Sequence, residues 1–591
     1  LYLIDQICKH TNHLDKVIFS ATYPMFDNGN KPFGIEIDVV TDTLISRGLL
    51  ESDLKERKLK NVEIRPFENF HHLVHGLGGF SKSPFDEALC VVIDGSGSGI
   101  FNHELINEIL LEEYGSLNMM HLEYFFSNDG LPINEAESIY HFDRNREKPV
   151  KTIRKQFGTQ FSVNEIRTRV QNMRYFVDDH FDQYIDYSDY DMTLSPHLGI
   201  GKIYELASSM LKYDAYGVGK VMGLSCYGEL SDDIPPIYDL NHIPKDGIPS
   251  VNGNLGRTVY PHVTPLLNRT LFEDIDFNTL DSEKLADNQT IRNFCHHVQK
   301  ETQEQALRLI LHGLEKTGSK NVVVGGGYFM NVITNAYIKR ELNKRGINYF
   351  VDPVPNDAGM SLGAFGLDRL FDGEPYLQEE TKTTYHGIDL GYTESDITEI
   401  VENQEEFTIE DTTPQDIVDL LCDKNIVAIY QGRSESSARA LGNRSILFDP
   451  RVENGKDIVN TVKMRESYRP FAGTILQDHA HEWFDMLDME ESPYMMYALD
   501  VNPDKKELIP AIVHVDDTCR IQTLKQDYNP HYYELIQTFY EATGVPIIMN
   551  TSFNLSGDPI VETLEDALSS LSRSKMRYLY LPEFGKLVVK N

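Results

Sequence analysis

Residues 321–331 read NVVVGGGYFMN, and the fold class turns on them. Three consecutive valines favour an extended strand, and three glycines then end it ahead of a predicted helix. The preceding stretch, NQTIRNFCHHVQKETQEQALRLILHGLEKTG (288–318), spaces its apolar residues as a helix does. Downstream, FVDPVPNDAGMSLGAFGLDRLF (350–371) repeats the scheme of strand, turn and helix. Upstream, ALCVVIDGSGSGIF (88–101) predicts a buried strand, a tight turn and a second strand. FSVNEIRTRVQNMRYFVDDHF (161–181) also has helical spacing and predicts a helix. Alternating strands and helices define an α/β protein.

At 591 residues the chain exceeds what one core holds, which predicts two large domains. The polar stretch DGEPYLQEETKTTYHG (372–387) is the expected linker, dividing the chain into 1–375 and 376–591. Beyond it, YTESDITEIVENQ and TPQDIVDLLCDKNIVAIYQG restart an α/β pattern. The net charge of −36 argues against a broad nucleic-acid or anionic-membrane footprint. No apolar run is long enough to span a membrane, and no signal peptide opens the chain, so a cytoplasmic location is expected. Six scattered cysteines without a CxxC pair fit a reducing compartment and argue against a disulfide framework or a zinc knuckle.

NFHHLVHGLGGF (69–80) carries three histidines. If it is helical, His71 and His75 share a face with bidentate metal geometry, whereas His72 points elsewhere. Imidazole is the commonest transition-metal ligand, and Asp94 at the end of the next strand is a natural third donor. The plain alternative is one core histidine and two solvated ones. The glycines after Asp94, Gly95 and Gly97, suit either a hairpin tip or a backbone cradle for phosphate. Gly325, Gly326 and Gly327 suit either a turn or a close nucleotide approach at a helix N-terminus. Asn331 suits a ribose contact or a helix cap. Asp357, read alone, is a turn residue.

Basic residues concentrate in two later stretches. YQGRSESSARALGNRSILFDPR (430–451) holds Arg433, Arg439, Arg444 and Arg451, and VKMRESYRPF (462–471) adds Lys463, Arg465 and Arg469. HVDDTCRIQT (514–523) brings His514, Asp516, Thr518 and Arg520, and MNTSFNLSGDP (549–559) brings Asn550, Ser552 and Asn554. Arginine forks and lysine suit phosphate and carboxylate, unless salt bridges to the surplus acids absorb them.

These stretches, with PNDAGMSLGA, in this order, resemble the ATP-dependent O-carbamoyltransferases of the tobramycin, nodulation-factor and cephamycin type. The likeness runs from about His71 to Glu562. It implies an actin-like (ASKHA) ATPase-type domain followed by a domain like the threonylcarbamoyl-adenylate synthases. It implies metal ligation by His71, His75, Asp94 and Asp357, with Fe2+ favoured over Mn2+ or Zn2+. Nucleotide contacts fall to Gly95, Gly97, Lys220, Gly325, Gly326, Gly327, Asn331 and Arg439. Carbamoyl phosphate falls to Lys463, Arg469, Arg520, Asn550 and Ser552, of which Lys463, Arg469, Arg520 and Ser552 carry the chemistry. The expected substrates are ATP, with Mg2+, carbamoyl phosphate and a hydroxyl-bearing small molecule; a homodimer is compatible with this reading.

Three departures stand out. Val218 replaces an acid before Gly219 and Lys220; Ser436, Ser437 and Ala438 replace a Phe-Gly-Pro loop; and the His- and Glu-Arg-rich opening of relatives is not found. The chain starts at Leu1, so a missing upstream segment is expected. The acceptor's base has no clear candidate beyond Asp214 and that segment. Rival readings are a tRNA threonylcarbamoyl-type transferase, disfavoured by the acidic balance, and a degenerate actin-like ATP-binding protein, disfavoured by the retained cations.

Overall fold

A computed structural model describes residues 16–19, 51–53, 58–60, 63–66, 70–95, 99–100, 133–158, 166–170, 184–195, 199–213, 217–239, 248, 275, 281–374, 382–437 and 439–591. Two small ribbons come first. β1 (Lys16–Phe19) lies parallel to β4 (Glu63–Pro66), and β2 (Glu51–Asp53) pairs antiparallel with β3 (Lys58–Lys60).

The first large sheet has nine described strands: β5 (Glu87–Ile93), β6 (Gly99–Ile100), β7 (Ile133–Asp143), β8 (Val150–Gly158), β9 (Ile166–Val170), β10 (Ile185–Asp186), β11 (Tyr190–Ser195), β12 (Asn321–Gly325) and β13 (Asn348–Val351). Its order is β13-β12-β5-β7-β8-β11-β9, with β10 on β8 and β6 on β7. β12 runs parallel to both β13 and β5, whereas β7 is antiparallel to β5 and β8. Strand periodicity assigns the faces. Ala88, Cys90, Val92 and Val323 pack with Leu73, Val74, Leu77 and Phe80 of α1 (His71–Lys82). Leu89, Val91, Ile93, Val322 and Val324 share the other core with the long helix Gln289–Thr317. A strand covered on both faces has no polar side, which is why β5 reads as an apolar run.

Further helices are α2 (Ile200–Met210), α3 (Val218–Ser225), α4 (Gln289–Thr317), α5 (Val332–Asn343) and α6 (Met360–Phe371). Asn288 caps α4 through the Ile291 N–H, and Gly318 ends it at φ 69°.

The expected helix over 161–181 is corrected where the structure describes it. Residues 166–170 are β9, antiparallel to β11 with Met192 opposite Thr168. Ile166, Thr168 and Val170 alternate with Arg167 and Arg169, a period of two that the pairing exploits.

The second half includes α7 (Glu394–Glu402), α8 (Pro414–Cys422) and α9 (Gly455–Lys463), three later helices (Ala480–Trp483, Pro530–Thr543 and Leu564–Ser572) and a second sheet. Its nine strands are β14 (Phe407–Asp411), β15 (Val427–Tyr430), β16 (Arg444–Phe448), β17 (Ala472–Leu476), β18 (Ala498–Asp500), β19 (Thr518–Leu524), β20 (Ile547–Ser552), β21 (Tyr578–Leu581) and β22 (Lys586–Lys590). The order is β14-β22-β21-β15-β16-β20-β17-β19-β18. Of the expected linker, residues 375–381 lie outside the described set. Thr384 and Gly387 are already hydrogen-bonded to the backbone of Ser436 and Ser434. Among the described residues no helix is long and apolar enough to cross a membrane.

Candidate functional site

α1 stacks His71 and His75 one turn apart, and both are buried. Their Nε2 atoms face each other at 3.2 Å. Asp94, just past β5, offers Oδ2 at 3.1 Å from His71 Nε2 and 3.9 Å from His75 Nε2. Asp357, in the single turn before α6, offers Oδ1 at 3.3 Å from His75 Nε2 and 3.7 Å from His71 Nε2. Donors about 2.1 Å from a shared ion lie roughly 3.0–3.4 Å apart in octahedral or tetrahedral arrangements. The quartet therefore fits a divalent cation, with two imidazoles, two carboxylates and no thiolate. Burial opposes charge on His71, but the hydrogen bond and charge of Asp94, helped by Asp357, raise its pKa above the usual histidine value. Burial would raise the Asp94 pKa, yet the neighbouring histidines hold it well below the carboxylate range. His72 points away, with Nδ1 on Ser138 Oγ at 2.9 Å; burial pushes its pKa down to about 4.

The glycine run and the histidine segment meet here. The Gly327 N–H donates to Asp94 Oδ1 at 2.9 Å, which leaves Asp94 Oδ2 for the histidines. Gly326 has φ 92°, and a Cβ on it would sit 2.3 Å from the Ile93 carbonyl oxygen. Gly325 lies against the His75 backbone, and Gly95 against Glu205. Gly97 and Asp214 lie outside the described residues. Asn331 takes the capping alternative: its Oδ1 accepts from the Ile333 and Thr334 N–H groups, and its Nδ2 donates to Tyr204 and Gln299. Lys220 is paired with Glu466 Oε1 at 2.8 Å and lies over the Tyr213 ring.

The second sheet gathers the cations. Register sets Arg520 and Asn550 on either side of Ala472, so the three share one face with a small residue between. Lys463, ending α9, donates to Ser552 O at 2.5 Å, Ser552 Oγ at 3.2 Å and Asn554 Oδ1 at 3.0 Å. Arg439 donates to Met330 O at 2.9 Å. Arg465 donates to Asn460 Oδ1 at 2.6 Å and stacks on Phe471. Arg469 approaches Glu466 at 3.7 Å. Burial, then the charges of Arg520 and Arg469, lower the Arg439 pKa, and burial with Arg465 and Arg469 lowers that of Lys463. Burial first, then Arg469, brings Arg520 down to about 10. Arg439 Nε, Arg520 Nε and Asn550 Oδ1 are buried without a hydrogen-bond partner among the described residues. Mutually repelling, half-satisfied buried cations make a cluster suited to an anion.

Arg444 and Arg451 do not join them. Arg444 is spent on the Gln431, Gly432 and Glu562 carbonyls, and Arg451 on Asp449. Arg465, a basic residue of VKMRESYRPF to which the family likeness assigned no specific contact, also belongs to the cluster. The two candidate sites adjoin. One turn, Gly327–Met330, separates the N–H that holds Asp94 from the carbonyl that holds Arg439.

Two mixed α/β sheets, one bearing a cation-ready quartet and one an anion-ready cluster of cations, set the class of molecule. The chain belongs to the carbamoyltransferase family: residues 38–365 match the carbamoyltransferase N-terminus and 418–588 the carbamoyltransferase C-terminus. It is 33% identical over 378 residues to nodulation protein NolNO of Sinorhizobium fredii, covering 63% of this chain and 53% of that protein. It is 32% identical over 222 residues to the 3'-hydroxymethylcephem-O-carbamoyltransferase of Streptomyces clavuligerus, covering 37% and 39%. The nodulation protein NolO of Bradyrhizobium diazoefficiens is 35% identical over 292 residues, covering 48% and 53%. The chain thus spans about half the length of these nodulation proteins.

Proposed function

We propose that this chain is an ATP-dependent O-carbamoyltransferase that makes carbamoyl-AMP and passes its carbamoyl group to a hydroxyl of a small molecule. The observation that carries the reading is the convergence of Arg439, Lys463, Arg465, Arg469 and Arg520 in a member of the carbamoyltransferase family. The division of labour follows the two sheets, with residues 1–375 as an actin-like transfer domain and 376–591 as a carbamoyl-adenylate-forming domain.

In the second half, Lys463, Arg469, Arg520, Asn550 and Ser552 would hold carbamoyl phosphate, and Arg439 the triphosphate of Mg2+–ATP. Water cleaves carbamoyl phosphate to phosphate and carbamate. A carbamate oxygen attacks the α-phosphorus of ATP and pyrophosphate leaves, so one water is consumed per carbamoyl-AMP formed. Cations already aimed at the phosphoryl oxygens stabilise charge there without reorganisation. Carbamoyl-AMP is prone to hydrolysis, and the short Gly327–Met330 step between the two sites favours an enclosed transfer. In the first half, His71, His75, Asp94 and Asp357 would hold a divalent ion, Fe2+ by preference, which when bound supplies Lewis-acid polarisation of an oxygen. The glycine turn at 325–327 lets the adenylate approach the backbone. The acceptor hydroxyl attacks the carbamoyl carbon, AMP leaves, and the hydroxyl proton passes to a base.

The test is pyrophosphate release from ATP. It should require carbamoyl phosphate and no acceptor. Release that ignores carbamoyl phosphate would overturn the reading.

A further inference from the structure

Cys226, immediately after α3, faces the loop of the second half that leads into β19. Its thiol donates to the Met222 carbonyl at 3.8 Å and lies beside the Asp516 carboxylate. Asp516 Oδ1 accepts from His514 Nδ1 at 3.2 Å and from the Thr518 N–H and hydroxyl at 3.2 and 2.7 Å. One donor atom from each of Cys226, His514 and Asp516 lies within 4.8 Å of the others. The His514 side chain is 8% exposed, and its Nε2 is buried with no hydrogen-bond partner among the described residues. A buried imidazole with an unsatisfied nitrogen, beside a thiol and a carboxylate, gathers one nitrogen, one sulfur and one oxygen donor in one place. Tyr227, next in the chain, packs edge-on against the His514 ring and donates to Tyr468 O. The donors therefore straddle the seam between the two halves.

We propose that Cys226, His514 and Asp516 form a second cation site, taking a zinc-class divalent ion that clamps α3 to the β19 loop. A sulfur, nitrogen and oxygen set suits a borderline ion, with a water completing four-coordination. Ion binding replaces the thiol proton, which leaves to solvent. The proposal is independent of the proposed transfer chemistry, because the readout is spectroscopic.

Metal-free full-length protein is titrated with Co2+. A near-ultraviolet sulfur-to-cobalt charge-transfer band should grow to one equivalent per chain, persist in His75→Ala and vanish in Cys226→Ser. Zn2+ should bleach it, and should slow alkylation of Cys226, followed by mass spectrometry, at least tenfold. The alkylation arm needs only wild-type protein, so a misfolded variant does not void the test. Absence of the band at two equivalents of cobalt, its survival in Cys226→Ser, or unchanged alkylation would each overturn the site. The cluster would then be a hydrogen-bonded contact only.

Discussion

His75 offers its Nε2 to two carboxylates and to another imidazole, so removing it strips a central donor from the quartet. His75→Ala should lose most first-site metal by elemental analysis and lose acceptor carbamoylation, while carbamoyl-phosphate-dependent pyrophosphate release survives. Lys463→Ala should keep the first-site metal but weaken carbamoyl-phosphate-dependent pyrophosphate release, with acceptor carbamoylation falling in step because it consumes the carbamoyl-AMP so formed. Loss of one charge-assisted bond costs roughly 1.5–3 kcal/mol, or about ten- to a hundred-fold in KM for carbamoyl phosphate, read from pyrophosphate release. Glu137 gives a pH test. Its Oε1 accepts from the Ile200 N–H at 2.6 Å, its Oε2 is buried without a partner among the described residues, and burial raises its pKa to about 7. The native state thus holds a proton that the unfolded chain releases near the ordinary glutamate value of 4.5. The stability this contributes is full below that value and is lost as pH rises through about 7, a total of roughly 3 kcal/mol. Denaturant titrations should show wild type losing more stability from pH 5 to 8 than Glu137→Gln does, because the amide oxygen still accepts from Ile200 but carries no proton to lose. Nothing in the sequence marked Glu137, since burial of a carboxylate depends on what the fold packs over it. The quartet was legible because helical spacing pairs His71 with His75, but Asp357 needed the family likeness to be distinguished from a turn residue.

At the scale of elements, the quartet depends on two helices meeting backbone to backbone. A Cβ on Gly363 of α6 would lie 1.9 Å from the Val74 carbonyl oxygen of α1, and one on Gly78 would lie 3.5 Å from the Gly359 carbonyl. This crossing fixes where the turn carrying Asp357 sits against His75. Gly363→Ala should push α6 outward, cost roughly 1–3 kcal/mol in chemical denaturation and weaken metal affinity, although residue 363 is no ligand. Strand–turn–helix units such as 321–343 were legible from valines, glycines and helical spacing. Residues 166–170 were not, because apolar residues in a short window satisfy both periods, and the choice was made by β11, whose partners lie beyond the window. The Cys226 cluster was illegible for a related reason: its members meet only through packing of α3 against the β19 loop.

For the whole molecule, the cationic cluster stands out in a chain of net charge −36. Filling it should stabilise the fold by mass action, so ATP or carbamoyl phosphate should raise the melting temperature. The shift should shrink between low and high salt as screening grows. An equal shift at both salts would mean that charge does not drive binding. Sequence concentration of arginines hinted at this cluster, yet Arg444 and Arg451 show why counting cations was insufficient: each found acceptors within its own neighbourhood. The halves are joined across their seam by the Tyr213 and Tyr468 hydroxyls, by Lys220 with Glu466 and by Arg439 on Met330. The strand order of the second sheet carries a consequence for synthesis. β22, which follows every other described strand in the chain, is the described neighbour that ties β14 to the sheet, and β21 completes β15. The first sheet has its described strands in hand by Val351. On the ribosome the described strands of the first sheet therefore emerge well before those of the second, whose edge stays open until β22 has followed β14 out by some 175 residues, and a growing chain must keep that edge from pairing wrongly in the interval.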